Sequence, residues 1–121
     1  MICVRTIGTK GRGVFAQRII REGEILERSP VIVLPGGQWQ NIERTVLFNY
    51  CYGWGEDSAL ALGVGSLFNH SYHPNAAYVR HLEEQVIDYV ALRDIEPEEE
   101  ITINYNGDPN DMDPVWFAVL K

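Results

Sequence analysis

The stretch SLFNHSYHPN, residues 66–75, places two Asn, two His and two Ser side chains within ten residues. It directly follows a small apolar run that begins at Ala59 and contains Gly63 and Gly65. Polar groups at the edge of a core must find hydrogen-bond partners, either within a tight turn or in a bound ligand. Glycines inside an apolar run indicate a close approach of the backbone to a ligand or to another strand. The stretch is therefore the first candidate for a functional site.

Two other chemistries can be built from the same histidines, and the sequence supports both only weakly. His70 and His73 have a spacing that a metal site can use, but no third ligand lies nearby. Cys51 and His70 would form a nucleophile and its base, but nothing in the local sequence activates the Cys51 thiol. Cys3 is the only other cysteine, so a Cys-rich zinc cluster is excluded, and free thiols are favoured over a single disulfide. We expect no bound metal.

Outside this stretch, short strand signals separated by Gly and Pro predominate. Residues 41–52 instead carry apolar side chains at helical spacing, which predicts one short helix. The predicted strands are Ile2–Ile7 and residues 31–34, 77–81, 85–92 and 101–105. The third and fourth of these are expected to pair as a hairpin through residues 82–84. Frequent turn signals between short strands favour a mainly β domain over a βαβ repeat.

Length, composition and charge restrict the possible functions. The chain has 121 residues, of which 45% are hydrophobic and 22% charged, and this suits a single globular domain. A net charge of -7 and a pI near 4.8 argue against direct nucleic-acid binding and favour a basic partner such as a Lys-rich peptide. No apolar run approaches the roughly 20 residues of a membrane span, and no signal-peptide core is present. We expect no membrane partner and an intracellular location, in the cytoplasm or in the nucleus or nucleoid.

Two further features carry little weight alone. The segment Gly11-Arg12-Gly13 allows a close backbone approach to a ligand, although a lone G-x-G is more often a plain hairpin turn. Neither a Walker pattern nor a GxGxxG follows it, so a phosphate cradle is not indicated. Tyr105 ends a predicted strand beside the turn Asn106-Gly107, where functional side chains often lie, although a half-buried strand aromatic gives the same pattern.

Taken in order, four segments resemble the SET-domain protein-lysine methyltransferases, and the resemblance covers almost the whole chain. The segments are GRGVFA at residues 11–16, EGEI at 22–25, FNHSYHPN at 68–75 and EEITINY at 99–105. At this length the chain most resembles the minimal SET proteins of viruses and bacteria. The resemblance implies one SET domain over residues 1–121, without pre-SET or Cys-rich post-SET modules. Its fold would be mainly β, a SET-type β-clip of several small sheets with a knot-like C-terminal crossing and one or two short helices.

The resemblance also implies the cofactor S-adenosylmethionine, bound on one face of the site. Residues 11–13 match the loop along its methionine part, Asn69 matches the contact to its amino group, and the His70 backbone matches the contact to adenine. Trp116 or Phe117 resembles the C-terminal aromatic that covers the adenine ring. The implied cofactor-binding residues are Gly11, Arg12, Gly13, Asn69, His70, Tyr105, Trp116 and Phe117.

By the same resemblance, the substrate lysine enters from the opposite face through a narrow channel. Tyr105 matches the catalytic tyrosine, Tyr78 an aromatic residue of the channel, and Tyr50 or Tyr52 a further lining residue. The implied reaction moves a methyl group from S-adenosylmethionine to a lysine amine of a basic protein or peptide, for which a histone tail is one candidate. The alternatives are a non-catalytic SET-like module that binds peptide or S-adenosylmethionine, and an unrelated small β hydrolase.

Three departures from the family pattern lead to separate expectations. Tyr72 stands where many members have a Cys that helps to hold zinc, which agrees with the absence of a predicted metal. Glu98 stands where Gly is common, so we expect the turn there to be shaped differently. The segment that follows Tyr105 is brief, so a second chain would complete the channel, and on this ground we expect a homodimer.

Overall fold

The structure, a computed structural model, describes residues 1–113, apart from the side chain of Lys10. Within this range the chain consists of short strands and one α-helical turn, as predicted for a mainly β protein. The strands are β1 Ile2–Ile7, β2 Gly11–Ala16, β3 Ile25–Leu34, β4 Cys51–Trp54, β5 Asp57–Ala61, β6 Asn69–His70, β7 Ala76–His81, β8 Val86–Ala91 and β9 Glu100–Ile103. The helix α1 spans Trp39–Ile42, and short 3-10 turns span Gly8–Lys10, Gly36–Gln38 and Val46–Asn49.

One sheet contains five antiparallel strands in the order β4-β5-β3-β8-β7. Its centre is β3, which pairs with β8 over residues 25–30 and with β5 over residues 31–34. The strand therefore begins earlier than the predicted residue 31. Pro30 lies inside it, at the point where β3 passes from one partner to the other, and its carbonyl accepts a bond of 2.9 Å from the Leu62 amide.

The two edge strands of this sheet contact each other. The rings of Tyr52 on β4 and Tyr78 on β7 meet edge to face, with centroids 4.9 Å apart. Beside them, Arg80 Nη1 on β7 donates to the Gly53 carbonyl on β4 at 2.9 Å. Neighbouring strands are about 4.8 Å apart, so the edges of a flat five-stranded sheet would be far from each other. The sheet is therefore curled, and its edges meet along a line that we call the β4–β7 seam.

The second sheet has the order β1-β2-β9-β6. β9 lies between β2 and β6, antiparallel to the first and parallel to the second. A hairpin cannot join a parallel pair, so the chain leaves this sheet after β6 and forms β7 and β8 before it returns as β9. This return of the C-terminal strand between two earlier strands agrees with the crossing that the resemblance implies.

The core packs between the two sheets. Phe68 and Tyr89 are its largest fully buried side chains, and their ring centroids lie 4.5 Å apart. Ile87 on β8 and Ile101 on β9 are fully buried as well, so strands of both sheets contribute. Because Phe68 directly precedes β6, its burial fixes where that two-residue strand begins.

The single helix predicted over residues 41–52 is wrong. The helix α1 ends at Ile42, a 3-10 turn follows at Val46–Asn49, and β4 comes next. Thr45 separates the two, because its hydroxyl donates to the Ile42 carbonyl at 2.7 Å and accepts from the Leu47 amide at 3.2 Å. Such side-chain bonds compete with the helical backbone pattern. No helix in the described part of the chain is long and apolar enough to cross a membrane.

The turn at Glu98 has the backbone conformation that a glycine would adopt, so the different shape that we expected is wrong. Glu98 has a φ of 71°, in the left-handed region that glycine favours. Its amide donates to the Ala16 carbonyl at 2.8 Å, and its carboxylate forms an exposed ion pair with Arg5. The backbone therefore keeps a glycine-type conformation although the residue is Glu, and these contacts hold the turn against the first hairpin.

We expect the variant Glu98→Gly to be more stable than Glu98→Ala. A residue with a Cβ costs about 1 kcal/mol or more in the left-handed region, and glycine removes this cost. Both variants lose the ion pair with Arg5, so that loss cancels in the comparison. Urea denaturation of the two proteins measures the difference, and equal unfolding midpoints would show that Glu98 carries no backbone strain.

Candidate functional site

Two segments that are distant in sequence meet at the second sheet. Asn69 and His70 form β6 and pair with β9, and Tyr105 follows β9 in the next turn. The Tyr105 amide donates to His70 Nδ1 at 2.9 Å, and the Tyr105 hydroxyl donates to the Phe68 carbonyl at 2.5 Å. The ring centroids of His70 and Tyr105 lie 5.2 Å apart. The structure thus brings together the three residues that the two sequence motifs carry.

Asn75 fixes this meeting of the two segments, although no role for it follows from the sequence. The side chain is 2% exposed, and its Oδ1 accepts from the Thr102 amide at 2.9 Å while its Nδ2 donates to the Glu100 carbonyl at 2.8 Å. Both partners lie on β9, so Asn75 supplies bonds that the two-residue strand β6 is too short to make. Its position in the NHSYHPN motif was the only signal, because a bond to a distant strand leaves no local pattern.

The glycine segment at the start of β2 lies against Asn69. Asn69 Nδ2 donates to the Arg12 carbonyl at 3.0 Å and to Glu100 Oε2 at 2.7 Å. A Cβ on Gly13 would lie 2.6 Å from the same Glu100 oxygen and 3.0 Å from Asn69 Nδ2, so only glycine fits without displacing them. Arg12, Gly13, Asn69 and Glu100 therefore form one group, which we call the amide–carboxylate cluster. Gly11 adjoins it with a φ of 80°, which explains the glycine there.

A cavity of about 170 Å³ lies against Tyr105. It lies at the β4–β7 seam, because both edge strands contribute to its wall. The lining residues are Asn49, Tyr50, Cys51, Tyr52, Gly53, Ser66, Phe68, Tyr78 and Tyr105. The predicted site residues Tyr50, Tyr78 and Tyr105 are thus together, along with Tyr52. We call this space the tyrosine cavity.

A buried hydroxyl pair fixes one wall of the tyrosine cavity. The Tyr52 hydroxyl donates to the Gly65 carbonyl at 2.7 Å, and the Tyr89 hydroxyl lies 2.9 Å from the Tyr52 oxygen and 3.0 Å from the same carbonyl. A Cβ on Gly65 would lie 2.8 Å from the Tyr89 oxygen, so the close approach predicted from the embedded glycines is confirmed here. The sequence did not indicate Tyr89, because its strand has the pattern of an ordinary apolar core strand.

Burial keeps the phenols of the cavity protonated. It raises the pKa of Tyr105 to about 12, with neighbouring Tyr50 and Glu100 adding to the rise. Burial also raises the pKa of Tyr52 and the pKa of Tyr78 above their ordinary values. At neutral pH these hydroxyls are therefore hydrogen-bond donors, and none of the three is a ready proton acceptor.

His70 carries a neutral ring of defined tautomer. Burial lowers the pKa of His70 below its ordinary value of 6.5. Because Nδ1 accepts the hydrogen of the Tyr105 amide, the ring proton is on Nε2. The imidazole therefore acts as an acceptor that orients the chain at Tyr105.

The weaker chemistries considered from sequence receive no support. Across residues 1–113, no three His, Cys, Asp or Glu side chains are grouped so that they could hold a metal ion. Burial raises the pKa of the Cys51 thiol, whereas an activated nucleophile needs a lowered pKa. Cys3 and Cys51 are both free thiols. Trp116 and Phe117 lie outside the described residues.

The fold and the site define a class of small β proteins. In this class a C-terminal strand, here β9, pairs with a short strand that carries Asn and His, and the tyrosine that follows it lines an aromatic cavity. The SET-domain family model matches residues 11–106 of the chain. The chain therefore belongs to the SET-domain family, whose members are protein-lysine methyltransferases, and it is an enzyme of that class. SET-domain methyltransferases generally use S-adenosylmethionine.

Two known proteins show how similar this chain is to other members. A Schizosaccharomyces pombe histone-lysine N-methyltransferase, specific for H3 lysine-37, is 39% identical over an alignment of 116 residues, and the match covers 94% of this chain and 75% of that protein. The crystal structure of a Plasmodium falciparum protein assigned as a histone methyltransferase is similar with a TM-score of 0.69 and 29% identity. That match covers 86% of this chain and 91% of the other.

The lowered pKa of His70 gives a pH dependence of stability. Between the folded and unfolded pKa values the unfolded chain binds a proton that the folded chain does not, so the free energy of unfolding falls as the pH drops. We expect a loss of up to about 1.4 kcal/mol per pH unit for this one proton below about pH 6.5. His70→Gln keeps an acceptor for the Tyr105 amide but does not titrate, so its stability should depend less on pH. Chemical denaturation between neutral and mildly acidic pH tests this, and identical slopes for both proteins would contradict it.

Proposed function

We propose that this enzyme transfers a methyl group from S-adenosylmethionine to a lysine amine of a basic protein, with a histone tail as the first candidate. The observation that carries the proposal is that Asn69 of the amide–carboxylate cluster lies between Phe68 and His70, which both bond to Tyr105, and that Tyr105 lines the tyrosine cavity. An aromatic wall suits the alkyl stem of a lysine, whose charged end otherwise stays in water. The S. pombe relative acts on histone H3, which supports the histone class of substrate.

The amide–carboxylate cluster suits the amino-acid part of S-adenosylmethionine. The Glu100 carboxylate, the Arg12 carbonyl and Asn69 Oδ1 are acceptors for an ammonium group, and the two Asn69 Nδ2 hydrogens hold the first two in place. Gly13 keeps the backbone close to these groups, where any side chain would collide with them. When bound there, S-adenosylmethionine supplies a methyl group activated by its sulfonium. The remaining contacts predicted from sequence, at Gly11, the His70 backbone, Trp116 and Phe117, belong to the same proposal.

The tyrosine cavity would favour the neutral amine that can attack a methyl group. With a reference pKa near 10.4, a lysine costs about 4.6 kcal/mol to deprotonate at pH 7. Desolvation within the cavity and a nearby cationic sulfonium both reduce this cost. We assign Tyr105 to orienting the amine, since its own pKa is too high for a base. The Tyr78 hydroxyl donates to the Tyr105 carbonyl at 3.3 Å and so helps to hold it, while Tyr50 lines the path of the lysine.

Charge supports the choice of partner. A net charge of -7 attracts a Lys- and Arg-rich protein at long range and accelerates its encounter with the enzyme. A histone substrate goes with an intracellular location, in the nucleus or before nuclear import.

We also propose a homodimer, and light scattering at micromolar concentration tests it, since the mass of a monomer would contradict it.

We expect Tyr105→Phe to reduce kcat about a hundredfold or more while the Kd for S-adenosylmethionine changes by less than about threefold. The hydroxyl would contact the reacting amine, whereas the ring still packs against His70. Methyl transfer from labelled S-adenosylmethionine to core histones gives kcat, and calorimetry gives the Kd. Equal losses in both would make the hydroxyl structural.

Tyr72→Phe is the matched control for that measurement. The Tyr72 ring also contacts His70, with centroids 4.5 Å apart, but its hydroxyl donates to the Asp113 carbonyl outside the tyrosine cavity. Loss of this phenol should leave kcat within about threefold of the unmodified enzyme, because it removes a single hydrogen bond of ordinary strength.

Asn69→Ala should weaken the binding of S-adenosylmethionine by about 1–3 kcal/mol, the usual loss for polar contacts within a site. The variant removes the amide that joins the Arg12 carbonyl to Glu100, so the acceptors lose their arrangement. Asn110→Ala is the control, because Asn110 is exposed in the turns that follow Tyr105. It should bind S-adenosylmethionine with the Kd of the unmodified enzyme. Calorimetry that finds the same Kd for both variants would remove Asn69 from the cofactor site.

A further inference from the structure

Arg80 differs from the other well-anchored arginines of the chain. Five of the eight arginines form ion pairs with carboxylates, namely Arg5, Arg18, Arg21, Arg28 and Arg93. No carboxylate within the described residues pairs with Arg80. Its guanidinium donates instead to the Gly53 carbonyl at 2.9 Å and lies 5.9 Å from the centroid of the Tyr78 ring. Within residues 1–113, Arg80 is thus held in place by a carbonyl and an aromatic ring, and its positive charge has no carboxylate beside it.

The place of this charge is the mouth of the tyrosine cavity. Gly53 and Tyr78, the two groups that hold Arg80, both line that cavity. Tyr78 and Arg80 are two residues apart on one strand, so their side chains lie on the same face of the sheet. Arg80 is exposed, whereas Tyr78 is half buried, so the guanidinium lies at the rim of the cavity. A guanidinium has five N–H donors, and the bond to Gly53 uses one of them.

We propose that Arg80 determines substrate specificity by sensing the charge of the residues next to the target lysine. This inference rests on the proposed function, because only a lysine inserted into the cavity brings its sequence neighbours to the rim. A fixed guanidinium there attracts an acidic neighbour and repels a basic one. The enzyme should therefore prefer a lysine flanked by Asp or Glu over a lysine flanked by Arg.

The negative charge of the whole protein does not cancel this local preference. Charges separated by more than about 10 Å are largely screened in physiological salt, so the overall charge guides encounter while Arg80 acts at contact distance. A substrate can thus be basic as a whole and still be selected for a lysine with acidic or neutral neighbours. The same guanidinium also joins β7 to β4, so the experiment must separate specificity from simple support of the seam.

The experiment compares methyl transfer to three synthetic peptides that contain one lysine each. The residues immediately before and after it are both Glu, both Gln or both Arg. We expect kcat/KM to favour the Glu peptide over the Arg peptide by about fivefold, as for exposed charge pairs. The preference should vanish in Arg80→Gln, invert in Arg80→Glu and persist in Arg80→Lys. Arg21→Gln, which changes the net charge equally but loses only an exposed pair with Asp94 outside the cavity lining, should keep it.

The ratio between peptides distinguishes the proposal from its alternatives. If Arg80 only supports the seam, its variants will lower the rates for all three peptides by the same factor, and an unchanged ratio would overturn the proposal. If the Gln variant does not fold, the unmodified enzyme provides the test, because added salt must reduce its preference for the Glu peptide. No transfer to any peptide or to core histones would instead refute the proposed function itself, and the role of Arg80 with it.

Discussion

The parallel pairing of β6 with β9 is the constraint on which the rest of the structure depends. β6 contains two residues, and a strand so short forms few backbone bonds of its own. Side chains complete the attachment, since Asn75 bonds to two backbone groups of β9 and His70 accepts the Tyr105 amide. These side-chain bonds define the register in which β9 lies between β2 and β6. The position of the Tyr105 hydroxyl follows from that register.

A second constraint is the curl of the five-stranded sheet. Edge strands usually present unpaired backbone groups to solvent, which invites association with other chains. Here the two edges face each other, and Tyr52, Tyr78 and Arg80 occupy the line between them. The tyrosine cavity is thus a product of sheet curvature, and the return of β9 places Tyr105 against it. Neither sheet alone would contain both the amide–carboxylate cluster and the tyrosine cavity.

Much of this arrangement could be predicted from sequence, for identifiable reasons. Local patterns of branched residues and turns predict the strand Ile2–Ile7 and the hairpin of β7 and β8. The glycines within the apolar run predict the close backbone approach that is found at Gly65. The meeting of Asn69, His70 and Tyr105 could be predicted because their motifs resemble those of a known family. The resemblance, and not any local pattern, indicated which distant segments lie together. The prediction of a helix over residues 41–52 was wrong because the spacing of apolar residues takes no account of side-chain hydrogen bonds. The hydroxyl of Thr45 forms such bonds with the backbone and interrupts the helix.

The contacts that escaped prediction are those made across the fold. Tyr89 looks like any core residue of a strand, yet its hydroxyl helps to fix the wall beside Tyr52. Arg80 looks like a solvated charge until the two edge strands are seen to meet. Glu98 shows a different limit, because the backbone keeps a conformation that its residue type disfavours when neighbouring contacts hold it. Local propensity describes none of these, since each depends on partners distant in the chain.

The β4–β7 seam also bears on motion. A ladder of backbone bonds separates only when several bonds break together, whereas this junction consists of an aromatic contact and one bond from a guanidinium to a carbonyl. Separating the two edges therefore requires the loss of these side-chain contacts only, while the backbone ladders on either side stay intact. Amides of the edge strands would exchange with solvent sooner than those of β3 and β8, whose opening requires loss of the core. The seam is therefore the part of the five-stranded sheet whose separation costs the least free energy.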